Sequence, residues 1–417
     1  MNEGIAYLQS LGLFRVKPGL DRIKKIAQHL GNPQDKIPSL LIAGTNGKGS
    51  VAAAIASVLE AQGYRAGLYT SPHLVRVTER IKVNGQEIAV DELSSLISEV
   101  KRVSEHLLIE PSYFEVLTAA AFMYFALSEA DFAVLEVGMG GRWDATNLVL
   151  PLCSVITNVS RDHTQFLGES VEEIAHEKAG VIKPGIPAIT GAKGEALEVI
   201  HTTAKEFSSP LRVMGRDFYF QGETTEGFDY YGKKWQLEHL NFSLRGIHQL
   251  ENASIAIATL ENISESHGIK LDQKALRKGL SSVKWEGRME FIRHYPPFIL
   301  DGAHNQDGAR ALRLSLRSMY PDAQFTFLIG MLNDKDHEKY LEEISEVAER
   351  IIITGLPSKR GVKAERLAEI ARGHAREIEV IEDFQQAFSK VKNLSTHSCA
   401  TGSLYLIGAI KSLINSD

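Results

Sequence analysis

Cysteine is nearly missing from this chain of 417 residues: Cys153 and Cys399 are the only two, far apart and without metal-ligand spacing. A disulfide framework and a cysteine zinc site are therefore not indicated, and a reducing compartment, the cytoplasm, is the expected location. An excess of positive charge is missing too. Lysine and arginine number 46 against 52 aspartates and glutamates, a formal net charge of −6, so no global basic field favours nucleic acid. Long apolar runs are also absent. The most apolar stretch, VLTAAAFMYFAL, has about half a bilayer-spanning length and is bracketed by Glu115 and Glu129, which marks a core helix. The opening MNEGIAYLQSLGLFRVKPGLDRIKK lacks a basic start followed by an apolar core, so no signal peptide is expected. No internal repeat or low-complexity segment is visible. These absences leave a globular chain acting on a small molecule, with no nucleic-acid or membrane partner and no sign of an oligomer; a monomer is expected.

The length exceeds one ordinary core and predicts two domains. From residue 39 onward, apolar β-rich runs such as LLIAG, FAVLEVG and CSVITNV alternate with helical patterns. Strands this apolar need cover on both faces, which predicts a mainly parallel sheet wrapped by helices. The segment RVMGRDFYFQGETTEGFDYYGKKWQLEHLNFSL is aromatic, glycine-punctuated and short in period; it reads as antiparallel hairpins appended to the first domain. HQLENASIAIATLENI then returns to helical spacing. After VKWEGRMEFIRHYPP the pattern restarts with FILDG, FTFLIG, RIIITG, EIEVI and SCATG, which predicts a second, smaller, Rossmann-like α/β unit. The expected fold class is thus α/β in two domains, the first with a phosphate loop, a mainly parallel sheet and a small antiparallel region. Pro296-Pro297 marks the threshold of the second unit, and the division is placed at 1–286 and 287–417. A cleft between two such domains suits a reaction that must exclude water.

Between Leu40–Ala43 and a helical pattern stands Gly44-Thr45-Asn46-Gly47-Lys48-Gly49-Ser50, almost a phosphate loop. The usual form has four residues before the Gly-Lys pair and Ser or Thr directly after the lysine; here two intervene, and Gly49 separates Lys48 from Ser50. Its glycines let the backbone approach phosphate oxygens, the helix start offers unpaired N–H groups, and Lys48 can neutralise β- and γ-phosphate charge. The alternative is a glycine-rich turn with a solvated lysine. DFAVLEVGMGGRWDATN puts Glu136 at the carboxyl end of a buried strand, where it is either a handler of Mg²⁺ or an ordinary loop carboxylate. Gly138, Gly140 and Gly141 form no dinucleotide fingerprint, because GRWDATNLVLP lacks helical periodicity. SVITNVSRDHTQFLG carries Asp162 and His163 in another strand exit, and His163 is either a metal ligand or a hydrogen-bonded structural residue. Lys178 shares its helix with Glu172, Glu173 and Glu177; the plain account is a charged, solvated face with helical ion pairs, which periodicity does not overturn. Asp301, His304 and Asn305 follow FIL, and Ser403 sits in a similar turn. Active groups gather at such strand ends, as do capping turns.

GTNGKGS, TSPHLVRVTERI, FEVLTA, LEVGMGGRWDATN, DHTQFLG, IAHEKAGVIKPG, HQLENA, WEGRME and DGAHN, in this order over nearly the whole chain, resemble the folylpolyglutamate synthase and dihydrofolate synthase family of the Mur ligase superfamily. The unusual loop is that family's own form. The resemblance implies an ATP-binding Mur-type central domain with a folate-binding loop in 1–286 and a glutamate-ligase domain in 287–417. It implies an ATP- and Mg²⁺-dependent ligase that adds L-glutamate to a folate or dihydropteroate carboxylate through an acyl phosphate. By the same resemblance Gly47, Lys48, Gly49 and Ser50 hold phosphates, and Ser71, Glu136 and His163 bind Mg²⁺. Asn252, Arg288 and Asp301 contact ATP from the far side of the cleft, and His304 lies near the incoming glutamate. Thr70, Ser112, Tyr113, Phe114, Glu115, Trp143, Asp144 and Ala145 line the pterin pocket, with Ser71, Pro72, His73, Arg80 and Ser403 also facing substrate. Lys178 matches the lysine that this superfamily carbamylates, and joins Lys48 and His304 as catalytic. Trp143, where an aliphatic residue is expected, and Met139 depart from the pattern and bear on whether dihydropteroate is accepted beside reduced folates. The rivals are a Mur-type ligase for a cell-wall precursor, opposed by TSPHLVRVTERIKVNG, and a phosphate-loop switch ATPase.

Overall fold

A computed structural model describes residues 3–12, 17–223, 226–375 and 377–415. The expectation for the opening stretch falls partly on 1–2 and 13–16, and that for the hairpin segment partly on 224–225, which lie outside these residues. The first sheet contains β1 (Ser39–Ala43), β2 (Ala66–Tyr69), β3 (Ile81–Val83), β4 (Gln86–Glu87), β5 (Phe132–Glu136), β6 (Cys153–Ile156), β7 (Ala188–Thr190) and β8 (Leu211–Val213). Their spatial order is β4-β3-β2-β5-β1-β6-β7-β8, parallel from β2 through β8, with β3 and β4 added antiparallel at one edge. Central β1 shows why its sequence lacks alternation. Leu41 and Ala43 enter the core beneath the helices Val90–His106 and Tyr113–Leu127, while Leu40 and Ile42 enter the core beneath Lys48–Gln62 and Ile247–His267. Successive side chains point to opposite faces, and both faces are buried. VLTAAAFMYFAL forms most of the Tyr113–Leu127 core helix.

The aromatic segment contributes β9 (Tyr219–Glu223), β10 (Gly227–Tyr231) and β11 (Gln236–Leu240), an antiparallel sheet in the order β11-β10-β9. Phe228, Tyr230, Leu237 and Leu240 join it to the core around Ile247–His267.

A second sheet contains β12 (Glu290–His294), β13 (Pro297–Leu300), β14 (Phe325–Ile329), β15 (Ala348–Ile353), β16 (Glu377–Val380) and β17 (Ser398–Thr401), in the order β12-β13-β17-β14-β15-β16. All pairings are parallel except β12 with β13. Here the sequence reading needs correction. The sheet starts before FILDG, at β12, and the proline pair lies within the β12–β13 hairpin rather than ahead of the unit. An edge strand is half-buried and reads less apolar than a central one, and a proline is tolerated as the first residue of a strand. Loops leaving the carboxyl ends of β1 and β6 meet loops leaving β13 and β14, which builds the site. Among the described residues no helix is long and apolar enough to cross a membrane.

Candidate active site

The loop between β1 and the helix Lys48–Gln62 turns at Gly47, whose φ of 83° favours glycine, and no side chain caps the helix start. Its first N–H groups therefore face the loop cavity, ready for an anion. A methyl on Gly49 would sit 2.5 Å from Trp285 Cζ2. The loop is splinted to the β6 exit: Asn46 N donates to Asn158 Oδ1 at 2.9 Å and Thr157 Oγ1 donates to Asn46 O at 2.6 Å. Lys48 Nζ folds back onto the carbonyls of Gly44 and Thr45, both at 3.1 Å. Ser50 Oγ is buried with no hydrogen-bond partner. Asn252 corrects an expectation. It touches Gly47 from the helix Ile247–His267, which packs on Lys48–Gln62 beside the loop and not across the cleft. The chain returns to the first layer after β11 before crossing to the second sheet.

Glu136 ends β5, and its Oε2 accepts the Ser71 N–H at 3.0 Å. Burial pushes its carboxyl up, opposed first by Lys48 and then by that N–H and Arg288. Burial pushes the His163 imidazole down to about 4, with Asp162 opposing, so the ring is neutral and able to offer a lone pair. Lys48 influences both groups. A carboxylate and a neutral imidazole that both feel Lys48, with Ser71 against Glu136 and the orphaned Ser50 hydroxyl in the loop, offer mostly hard donors of the kind that would fit Mg²⁺ or Mn²⁺. No three His, Cys, Asp or Glu side chains converge among the described residues, so phosphate oxygens and water would complete such a site.

Lys178 overturns the solvated-face reading. Spaced four residues from Ile174, it falls on the buried stripe Ile174, Ala175, Lys178, Ala179 of its helix, while Glu172 and Glu173 are exposed. Its Nζ donates to Gly44 O at 2.9 Å, the carbonyl that Lys48 also uses. Burial, reinforced by Lys48, pushes this amine down to about 7.

Thr70 to Arg80 form a stiff tongue after β2. The Glu79 carboxylate accepts the N–H groups of Leu74, Val75 and Arg76 at 2.8, 3.0 and 2.7 Å. Arg80 is buried, donates to His73 Nδ1 at 2.9 Å and lies 5.6 Å over the Tyr113 ring. Burial, then Arg80, pushes His73 down to about 4, which keeps it an acceptor. Phe114 packs 5.8 Å from the Tyr69 ring and beside Gly138, where a methyl would come within 2.6 Å. Asp144 shapes the glycine loop by accepting from Met139 N at 3.0 Å and Thr146 N at 3.0 Å. Trp143 stands half-exposed between buried Asp144 and Arg142, and Ala145 is buried. Ser112 and Glu115 do not offer free polar groups to a pocket. They cap their helix reciprocally, at 3.2 and 2.7 Å, and Glu115 pairs with Arg22 at 3.1 Å. They frame Tyr113 and Phe114 instead.

On the second sheet Asp301 accepts from Met289 N and Ala303 N, both at 2.9 Å, and the Arg288 guanidinium lies over Gly302. His304 Nδ1 donates to Gly302 O at 2.8 Å. Ser403 is buried and caps the helix Leu404–Ile414 through Tyr405 N at 3.1 Å, so the capping alternative describes its hydroxyl. Sequence reading assigned no role to Arg22, Trp285 or Lys335; Trp285 does open the WEGRME motif, whereas Arg22 and Lys335 are marked only by contacts with residues distant in the chain.

Two family patterns match: "Mur ligase middle domain" over residues 42–260 and "Mur ligase, glutamate ligase domain" over 287–401. The dihydrofolate synthase/folylpolyglutamate synthase of Bacillus subtilis is 35% identical, with 95% of each chain covered. The structure of Escherichia coli FolC in complex with DHPP and ADP superposes with a TM-score of 0.91 at 30% identity, covering 99% of this chain and 98% of that one. A bifunctional folylpolyglutamate synthase/dihydrofolate synthase of Yersinia pestis, complexed with AMPPNP and Mn ion, gives 0.89 at 31% identity, covering 99% and 97%. With the variant phosphate loop, the tongue and the glycine loop in place over this length, the chain belongs to the folylpolyglutamate synthase/dihydrofolate synthase family of Mur-type ligases.

Proposed function

We propose that the chain joins L-glutamate to the carboxylate of a reduced folate, and of dihydropteroate, with ATP converted to ADP and phosphate. The observation that carries this reading is the pair of lysines sharing Gly44 O, with Lys48 near enough to act on both Glu136 and His163. A carboxylate is a poor acyl donor. Its oxygen would attack the γ-phosphorus while ADP departs, leaving an acyl phosphate. Lys48 and the open N–H groups of its helix stabilise the charge on the moving phosphoryl group. A divalent ion held by Glu136, His163 and Ser71 would supply further charge neutralisation there. Asn252, beside Gly47, and Arg288 with Asp301, from the second sheet, would hold the nucleotide. Tyr113, Phe114 and Trp143 would pack on the pteridine, with Asp144 and Arg80 fixing its surroundings. The glutamate amine, once deprotonated, attacks the acyl carbon; the C–O bond to phosphate breaks and an amide remains.

In this reading Lys178 acts as its carbamate: neutral Nζ adds to CO₂, loses a proton and becomes an anion beside Lys48. The division at 1–286 and 287–417 is supported by the two sheets and the two family matches. The reading includes a monomer without a membrane partner; the absence of a nucleic-acid partner is supported by the net charge of −6 and a cytoplasmic location by the two free, buried cysteines. Substrate labelled with ¹⁸O in its carboxylate tests the chemistry. One label should appear in the released phosphate; unlabelled phosphate would contradict an acyl phosphate.

A further inference from the structure

Asp162 stands beside His163 in the β6 exit loop, and the metal reading uses only the histidine. Its carboxylate is buried, with a side-chain exposure of 8%. Oδ1 accepts from Lys335 Nζ at 2.5 Å and from the His163 N–H at 2.8 Å. Oδ2 accepts from Asn305 Nδ2 at 3.1 Å and faces His304 Nε2 at 3.5 Å. Lys335, equally buried at 6%, leaves the end of β14, while His304 and Asn305 leave the end of β13. The side-chain hydrogen-bond and ion-pair partners of this first-sheet carboxylate, among the described residues, therefore come from the second sheet. Asn305 makes a second crossing, exchanging amide hydrogen bonds with Asn46 of the phosphate loop at 3.1 and 3.3 Å.

We infer that Asp162 is a positioning residue that clamps the two sheets together and fixes His304 and Asn305 at the edge where the incoming glutamate meets the phosphate loop. The inference rests on the ligase reading above. A carboxylate is tolerated in a buried site only when charge and hydrogen bonds compensate its lost hydration. Here the Lys335, Asn305 and His304 part of that compensation exists only while the sheets are apposed, so its energy is tied to closure and not to either core. The His304 ring is set from both sides, by Gly302 O at Nδ1 and by Asp162 at Nε2. Asp162 opposes the fall of the His163 imidazole through its charge, but its hydrogen bond to that residue is to the backbone N–H, whereas its side-chain hydrogen bonds reach Lys335 and Asn305 of the second sheet.

The test compares Asp162→Asn, Lys335→Met, their double variant, Lys335→Arg and Asn305→Ala in the full chain, with thermal unfolding to confirm that each is folded. Removing the charge should raise KM for L-glutamate about 10-fold or more, with a smaller fall in kcat. The Mg²⁺ concentration for half-maximal activity should stay within about 2-fold, since Glu136 is untouched, and AMPPNP affinity should fall less than glutamate affinity, since the phosphate-loop helix stays in the first layer and only the Asn305, Arg288 and Asp301 side depends on apposition of the sheets. The double variant should be no worse than the poorer single one, Lys335→Arg should retain most of the function, and Asn305→Ala should shift glutamate KM in the same direction. X-ray scattering should show Asp162→Asn more extended than wild type in the presence of AMPPNP. Unchanged glutamate KM with an altered Mg²⁺ requirement would place Asp162 behind His163 and overturn the clamp, as would full additivity of the two charge removals. A wild type that makes no glutamyl product would sink the ligase reading instead, and the scattering comparison would still decide the clamp.

Discussion

Replacing Lys178 by methionine keeps the length of the side chain and removes its amine, and the structure sets the sign of two opposite effects. A lysine moved from 10.5 to about 7 in the folded state carries a penalty of up to about 5 kcal/mol, at 1.36 kcal/mol per unit. Between those values the unfolded chain holds a proton that the folded chain lacks, so stability rises with pH across about 7 to 10.5. The penalty is complete below about 7 and gone above 10.5. In CO₂-stripped buffer, where the amine is free, Lys178→Met should gain of order 2 kcal/mol at pH 7 after loss of the Gly44 O hydrogen bond, shrinking toward pH 10. Activity should move the other way. Near pH 7 about half of this amine is neutral, against about one in 3,000 for an ordinary lysine, and only the neutral amine adds to CO₂. Lys178→Met should lose about 10²-fold or more in rate. Wild type should lose activity in CO₂-stripped buffer, and Lys178→Ala should be partly rescued by acetate. Thermal unfolding from pH 6 to 10, with turnover measured with and without bicarbonate, reads both effects. A less stable variant whose deficit persists at pH 7 would refute the buried-charge reasoning. Full turnover of Lys178→Met would refute the carbamate.

Lys48→Ala should fold, since its two contacts to loop carbonyls lie outside both cores, and lose about 10²-fold or more in turnover because its charge is removed from the phosphate site; near-normal rates would remove the phosphate-loop assignment. Glu136→Gln and His163→Ala should each raise the Mg²⁺ concentration needed for half-maximal rate, and a titration unchanged in both would disprove a shared ion. Gly49→Ala drives a methyl into Trp285 and should cost about 1–3 kcal/mol in unfolding experiments. Adding Trp285→Ala should relieve that clash, and a double variant no better than the additive sum would argue against it.

What was legible in the sequence follows what local patterning can encode. β1, β5 and β6 announce themselves because burial on both faces demands unbroken apolar runs, and GTNGKGS does so because a phosphate loop needs glycine and lysine at one junction. β12 was hidden because half-exposed residues break the apolar signal. The charged neighbours of Lys178 mask its burial, although its spacing from Ile174 places it on the buried stripe; the resemblance, not the periodicity, singles it out. The Arg22–Glu115 and Lys335–Asp162 pairs span 93 and 173 residues, distances over which periodicity carries no information. The position of Asn252 depends on where the chain crosses between sheets, which only the three-dimensional path reveals.

The most direct test is to incubate the purified protein with ATP, Mg²⁺ and L-glutamate, offering dihydropteroate or tetrahydrofolate separately, and to identify the products by mass. The acceptor should gain one glutamyl residue with one ADP formed per amide, and ADP formation should require the acceptor. ATP hydrolysis independent of any pteridine acid, with no glutamyl product, would contradict the assignment.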